Sequence, residues 1–176
     1  MIQRIPLLPA VMAAVVVLAC VTAPAMARAG DACDALTARM IRATGASLAG
    51  RAGDGAVFRA ADADRMSLAC GKPQRMVFGA VAREPLRPYF VLIGLAGQGL
   101  TGARARDVEV LALTLHRRSL LTGAPAEGRT GAALLRCETG PREDMLADNL
   151  TVCVLQPGRT IVLRRRAGLN QGQRAG

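Results

Sequence analysis

From Ile5 to about Ala23 the chain carries no charge, and Val11 to Val21 is almost wholly apolar. Arg4 precedes this run, and the small-residue stretch Ala23-Pro24-Ala25-Met26-Ala27-Arg28-Ala29 closes it. A basic start, an apolar middle and a small-residue end are the three parts of a secretory signal. Small residues at both recognition positions allow cleavage after Ala27 or after Ala29; the helical pattern beginning at Asp31 favours Ala29. Two rivals compete. The run is nearly long enough to remain as a membrane anchor, and Val17-Leu18-Ala19-Cys20 resembles a lipoprotein site. Leu18 fits such a site poorly, and the stretch after Cys20 stays apolar instead of becoming a polar tether.

The next pattern is helical. Cys33, Leu36, Met40 and Ile41 recur at the spacing of one helix face, with Asp31 and Asp34 in the first turn, where the helix dipole favours negative charge. This predicts a helix over 31–44, with Cys33 facing inward.

A strand-like region follows. Gly53-Asp54-Gly55 reads as a turn, and strands are predicted over 56–60, 65–70 and 75–82, the last with Met76, Phe78 and Ala80 on one face. Their hairpin spacing points to antiparallel pairing. In 87–101, Tyr89, Ile93, Ala96 and Leu100 keep helical spacing, although Tyr89 to Ile93 would also make a buried strand; the helix is preferred. Gly94 and Gly97 would then form a small-residue face for close packing. A second, mostly buried helix is predicted over 103–121, again with a strand as the rival. A loop is read at 122–131, a strand at 132–137 and an exposed polar loop at 139–144. Two strands, 150–155 and 160–163, are expected to flank a turn centred on Pro157-Gly158. Residues 168–176 read as a disordered tail.

The fold class these elements predict is a small single α+β domain, with an N-terminal helix and a central helical pair packed on an antiparallel sheet. The expected division is a signal peptide over 1–29, one domain over 30–166 and a disordered tail over 167–176.

Composition sharpens this picture in two places. Hydrophobic residues make up 51% of the chain but aromatics only 2%, so the core has to be built from Ala, Val and Leu with few rings. Removing residues 1–29 would leave four of the five cysteines: Cys33, Cys70, Cys137 and Cys153. An even count in an exported chain predicts two disulfides, and the sequential pairing Cys33–Cys70 with Cys137–Cys153 is favoured. No two of the four are close enough for a C-x-x-C zinc or redox motif.

The chain's net charge is +10, with 23 basic and 13 acidic residues. Cleavage after Ala29 removes Arg4 and Arg28, leaving 21 against 13, or +8. Arg159 and the residues after it include five arginines and no acid, so the remaining body carries only +3. Arg164, Arg165 and Arg166 form the densest cluster and are the candidate anion-binding residues, because guanidinium forks suit phosphate and carboxylate. The bland alternative is a solvated tail that aids solubility. Nucleic acid is not expected as a partner, since aromatics for stacking are scarce.

Gly97-Gln98-Gly99-Leu100-Thr101-Gly102 matches G-x-G-x-x-G, but Arg117 stands where a dinucleotide site needs an acid about twenty residues on. His116, the only histidine, cannot build a multi-histidine metal site. Beside Arg117 and Arg118 it reads as a cation near a helix C-terminus, with Ser119 the nearest candidate nucleophile. Asp62 with Asp64, and Glu143 with Asp144, form small acidic pairs without EF-hand spacing. Asn149-Leu150-Thr151 is a glycosylation sequon only in a eukaryotic chain.

Together these features predict an exported protein, periplasmic or secreted, with no transmembrane span in its mature form and no cofactor or metal. The expected role is a non-catalytic binding or interaction module of the bacterial envelope, meeting an anionic surface or an acidic protein. The rival from another class is a small periplasmic hydrolase using His116.

Overall fold

The computed structural model describes residues 29–158 except Arg142 and Met145. The expectations for the signal segment, the Cys20 site, the 160–163 strand, Arg164–Arg166 and the tail lie outside the described residues. In chain order the elements are α1 (Ala29–Thr44), β1 (Ser47–Ala52), β2 (Gly55–Ala60), β3 (Ala63–Ala69), β4 (Arg75–Ala80), α2 (Arg87–Thr101), α3 (Ala105–Thr122), β5 (Ala126–Thr130), β6 (Ala133–Thr139) and β7 (Thr151–Pro157).

The strands form one seven-stranded sheet in the order β1-β2-β3-β4-β7-β6-β5, and every neighbouring pair is antiparallel. Two meanders, β1–β4 and β5–β7, meet where their last strands pair. Alternation along each strand sends one set of side chains to each face. Phe58, Met66, Phe78, Cys153, Cys137 and Ala126 lie opposite one another in register across six strands, and all are buried. A second row, Ala56, Leu68, Met76, Leu155 and Leu135, lies beside it. The helices supply the other half of the core through Leu36 and Met40 of α1, Tyr89, Phe90 and Ile93 of α2, and Val108, Ala112 and Leu115 of α3. The structure is thus a small single α+β domain.

The helical spacing of 87–101 and 103–121 prevails over the strand alternative at both places. Gly94 and Gly97 let α2 and α3 approach closely: an added Cβ at Gly94 would sit 2.6 Å from the Ala105 carbonyl oxygen, and one at Gly97 would sit 2.8 Å from Val108 Cγ1. The pair is also clamped by Glu109, whose carboxylate accepts from Arg87 of α2 and Arg106 of α3, each at 3.1 Å. Burial raises the Glu109 carboxyl, but these two guanidiniums outweigh it and hold the group below the usual carboxylate range.

The structure differs from the sequence reading in three local places. β1 occupies residues to which the pattern assigned no element; as an edge strand it is almost fully exposed and shows no apolar alternation. β5 occupies part of the expected 122–131 loop. Its inward positions are the small residues Ala126 and Gly128, because α3 lies over them; a Cβ at Gly128 would meet Leu111 Cδ1 at 2.9 Å. Gln156 and Pro157 continue β7 and pair with Leu134 and Ala133, so the Pro-Gly turn does not begin where expected.

Both predicted disulfides are present. Cys33–Cys70 joins the N-terminal half of α1 to the residue after β3, with Cα atoms 5.5 Å apart. Cys137–Cys153 crosses between directly paired positions of β6 and β7, with Cα atoms 4.1 Å apart. Two bridges fit an oxidising, extracytoplasmic environment. No described helix is long and apolar enough to cross a membrane.

Candidate anion-binding groove

His116 lies in the body of α3, six residues before its end, and is 5% exposed. It is therefore a core side chain and not the expected helix-terminal cation. Its ring packs against Phe90 with centroids 5.1 Å apart, and Nδ1 lies 3.3 Å from the Thr139 hydroxyl. Thr139, expected in an exposed loop, is the buried last residue of β6. Its backbone N–H donates to Ser119 Oγ at 2.9 Å. Ser119 is fully buried. A general base and nucleophile need access to substrate and an orienting partner for the base; here both side chains instead join α3 to the end of β6.

Burial pushes the His116 imidazole below its ordinary value; Glu84 opposes the shift, and Arg117 adds to it by a smaller amount. The folded state therefore binds a proton less readily than the unfolded chain, whose imidazole titrates near about 6.5. Stability should fall as pH drops through that range, because the unfolded chain then takes up the proton first. Urea midpoints measured between pH 7.5 and 5 should decline for the native chain and decline less for His116→Gln. Parallel slopes would show that His116 does not carry the dependence.

The G-x-G-x-x-G segment is the second half of α2 and its cap. Gly97 packs on Val108, Gly99 packs against Met40 and Ala43, and Gly102 ends the helix with φ of 76°. Each glycine is accounted for by packing or capping, and the segment lies within and at the end of a helix, not after the strand that a dinucleotide-binding turn requires. Among the described residues no cluster of three or more His, Cys, Asp or Glu side chains is arranged to hold a metal ion. Asn149 of the sequon is buried, with its side chain over Gly79.

The face of the sheet turned away from the helices bears a different chemistry. In register across its middle run Val57, Ser67, Val77, Val154, Arg136 and Glu127. Toward the end where β7 leaves the sheet, Leu134 pairs with Arg129 and Gln156, and Arg75 opens β4. Two adjoining hollows share Leu134 and Gln156. One, of about 330 Å³, is lined by Arg75, Arg136, Glu127, Glu138 and an apolar floor of Val152 and Val154. The other, of about 590 Å³, adds Lys72, Arg129, Pro73, Pro157 and Gly158. The combined groove thus holds four cations against two carboxylates. Arg136 and Glu138 approach to 3.6 Å, whereas Lys72 and Arg75 make no ion pair among the described residues.

No family model, curated protein or solved structure matches the chain. The groove therefore stands on its own geometry. Gly158 lies directly against the Arg129 guanidinium, where an added Cβ would sit 2.9 Å from Nη2. The chain continues from this point into Arg159 and then Arg164-Arg165-Arg166. The tail arginines were legible as a charge cluster. The groove was not, because Lys72, Arg75, Arg129 and Arg136 are spread over 65 positions of sequence and only the strand order brings them together. Alternation within β4 and β6 placed Arg75 and Arg136 opposite the core face, which was the one available signal.

Proposed function

We propose that the chain is an exported, non-catalytic binding module of the bacterial envelope, and that it attaches to anionic lipid surfaces through its C-terminal arginines. The observation that carries this reading is the cationic groove beside Gly158, the last described residue, together with the five arginines and no acid in the sequence beyond it. Guanidinium groups suit headgroup phosphates, and the groove cations Lys72, Arg75, Arg129 and Arg136 are of the same kind. The buried setting of His116 and Ser119 lends no support to the hydrolase alternative.

The test is sedimentation with anionic vesicles, comparing the mature protein with a form truncated after Leu163. Each arginine near an anionic surface contributes roughly 1 kcal/mol, so the three of the cluster should shift partitioning by about two orders of magnitude. The effect should fade as salt rises, since screening acts over about 8 Å at physiological ionic strength. Zwitterionic vesicles should bind neither form. Equal binding of both forms to anionic vesicles at low salt, or binding by neither, would remove the tail as the attachment site.

A further inference from the structure

The two disulfides sit in opposite surroundings. Cys137 and Cys153 have no exposed surface, whereas Cys33 and Cys70 are only half-buried. The Cys33–Cys70 bridge borders an open hollow of about 430 Å³ whose wall includes Gly30, Gly53, Gly55 and Gly71. Four glycines leave the sulfurs little side-chain cover on that side. Arg51 lines the same hollow and places Nη1 3.9 Å from Cys33 Sγ. The guanidinium is held there by Thr37 Oγ1, which accepts from Nη1 at 3.2 Å, and by the Asp34 carboxylate on Nη2.

We propose that Cys33–Cys70 is a thiol–disulfide exchange site for an external dithiol, with Cys33 as the leaving sulfur and Cys70 as the sulfur attacked. A neighbouring cation lowers the pKa of a thiol, and the thiol of lower pKa leaves faster. One thiolate of the dithiol bonds to Cys70 Sγ, the bridge breaks, and the electron pair departs on Cys33 Sγ beside Arg51. The second thiol of the reductant gives its proton to solvent and attacks its own sulfur in the mixed disulfide. Cys70 is released as a thiolate and takes a proton from solvent. Two electrons pass to the bridge, and the dithiol leaves as a disulfide. The product frees the N-terminal half of α1 from the end of β3, while the bridge between β6 and β7 stays closed.

The mature chain with both bridges formed is treated with dithiothreitol at neutral pH without denaturant, quenched with acid, alkylated and mapped by peptide mass. Circular dichroism follows the fold during reduction. Cys33 and Cys70 should become labelled at least about tenfold faster than Cys137 and Cys153. A monothiol trap should leave its adduct on Cys70. Arg51→Gln should slow the reduction by about threefold to tenfold, and Arg51→Lys should restore part of the rate. Equal rates at the two bridges, or reduction only as the fold is lost, would overturn the site; an adduct on Cys33, or an unchanged rate in Arg51→Gln, would overturn the assigned roles.

Discussion

Replacing Phe78 by Ala is expected to remove about 3–5 kcal/mol of stability, the usual cost of deleting a fully buried ring. The chain has only three Phe and one Tyr, and no Trp. Phe58, Phe78, Phe90 and Tyr89 are all buried, with Phe78 fully enclosed. It sits on β4 between Met66 and Cys153, at the junction of the two meanders. Its carbonyl also accepts the Tyr89 hydroxyl at 3.1 Å, in a setting where burial pushes the phenol well above its ordinary value. Domains of this size hold about 5–15 kcal/mol in total, so the variant should be marginal. Urea unfolding should show a much lower midpoint with a similar slope, whereas Phe78→Leu should cost far less. A loss under about 1.5 kcal/mol, the range of volume-conserving swaps, would mean that the core collapses around the gap.

The sequence revealed the elements that bury a regular apolar set and missed those that do not. Met76, Phe78 and Ala80 alternate because β4 has helices on one side only, and Tyr89, Ile93, Ala96 and Leu100 repeat helically because α2 lies across the sheet. Both patterns record burial. β1 has little burial to record: it is an edge strand, and Ser47, Leu48 and Ala49 are all exposed. β5 is paired on one side only and has small inward residues beneath α3. His116 was misplaced for a related reason. Arg117 and Arg118 suggested a solvated helix end, but α3 runs on to Thr122, and its 3.6-residue period turns position 116 toward Phe90 while 117 and 118 remain exposed. The sequential cysteine pairing was legible from the even count of cysteines in an exported chain and the short loop that the second pair closes. The half-exposed setting of Cys33 was not, since it depends on the glycines of two later turns folding beside it.

Removing the buried bridge is expected to cost more than removing the accessible one, although the loop lengths alone predict the reverse. Cys33 and Cys70 are 37 residues apart, and Cys137 and Cys153 are 16 apart. Loop-closure entropy then assigns about 3.8 kcal/mol to the first bridge and about 3.1 to the second. The native state changes the order. Cys137 and Cys153 lie in the central core row between Phe78 and Ala126, so replacing both with Ala leaves a void that neighbours on a regular sheet cannot close. A void of that kind adds roughly 1–2 kcal/mol. Cys33 and Cys70 border open solvent, and their loss leaves no enclosed void. The double variant Cys137→Ala with Cys153→Ala should therefore lose about 4–5 kcal/mol, against at most about 4 for Cys33→Ala with Cys70→Ala. Urea denaturation of both variants decides the matter, with slopes compared because an unlinked denatured chain exposes more surface. The reverse order would mean that denatured-state entropy governs both bridges and that the core row repacks around the missing sulfurs.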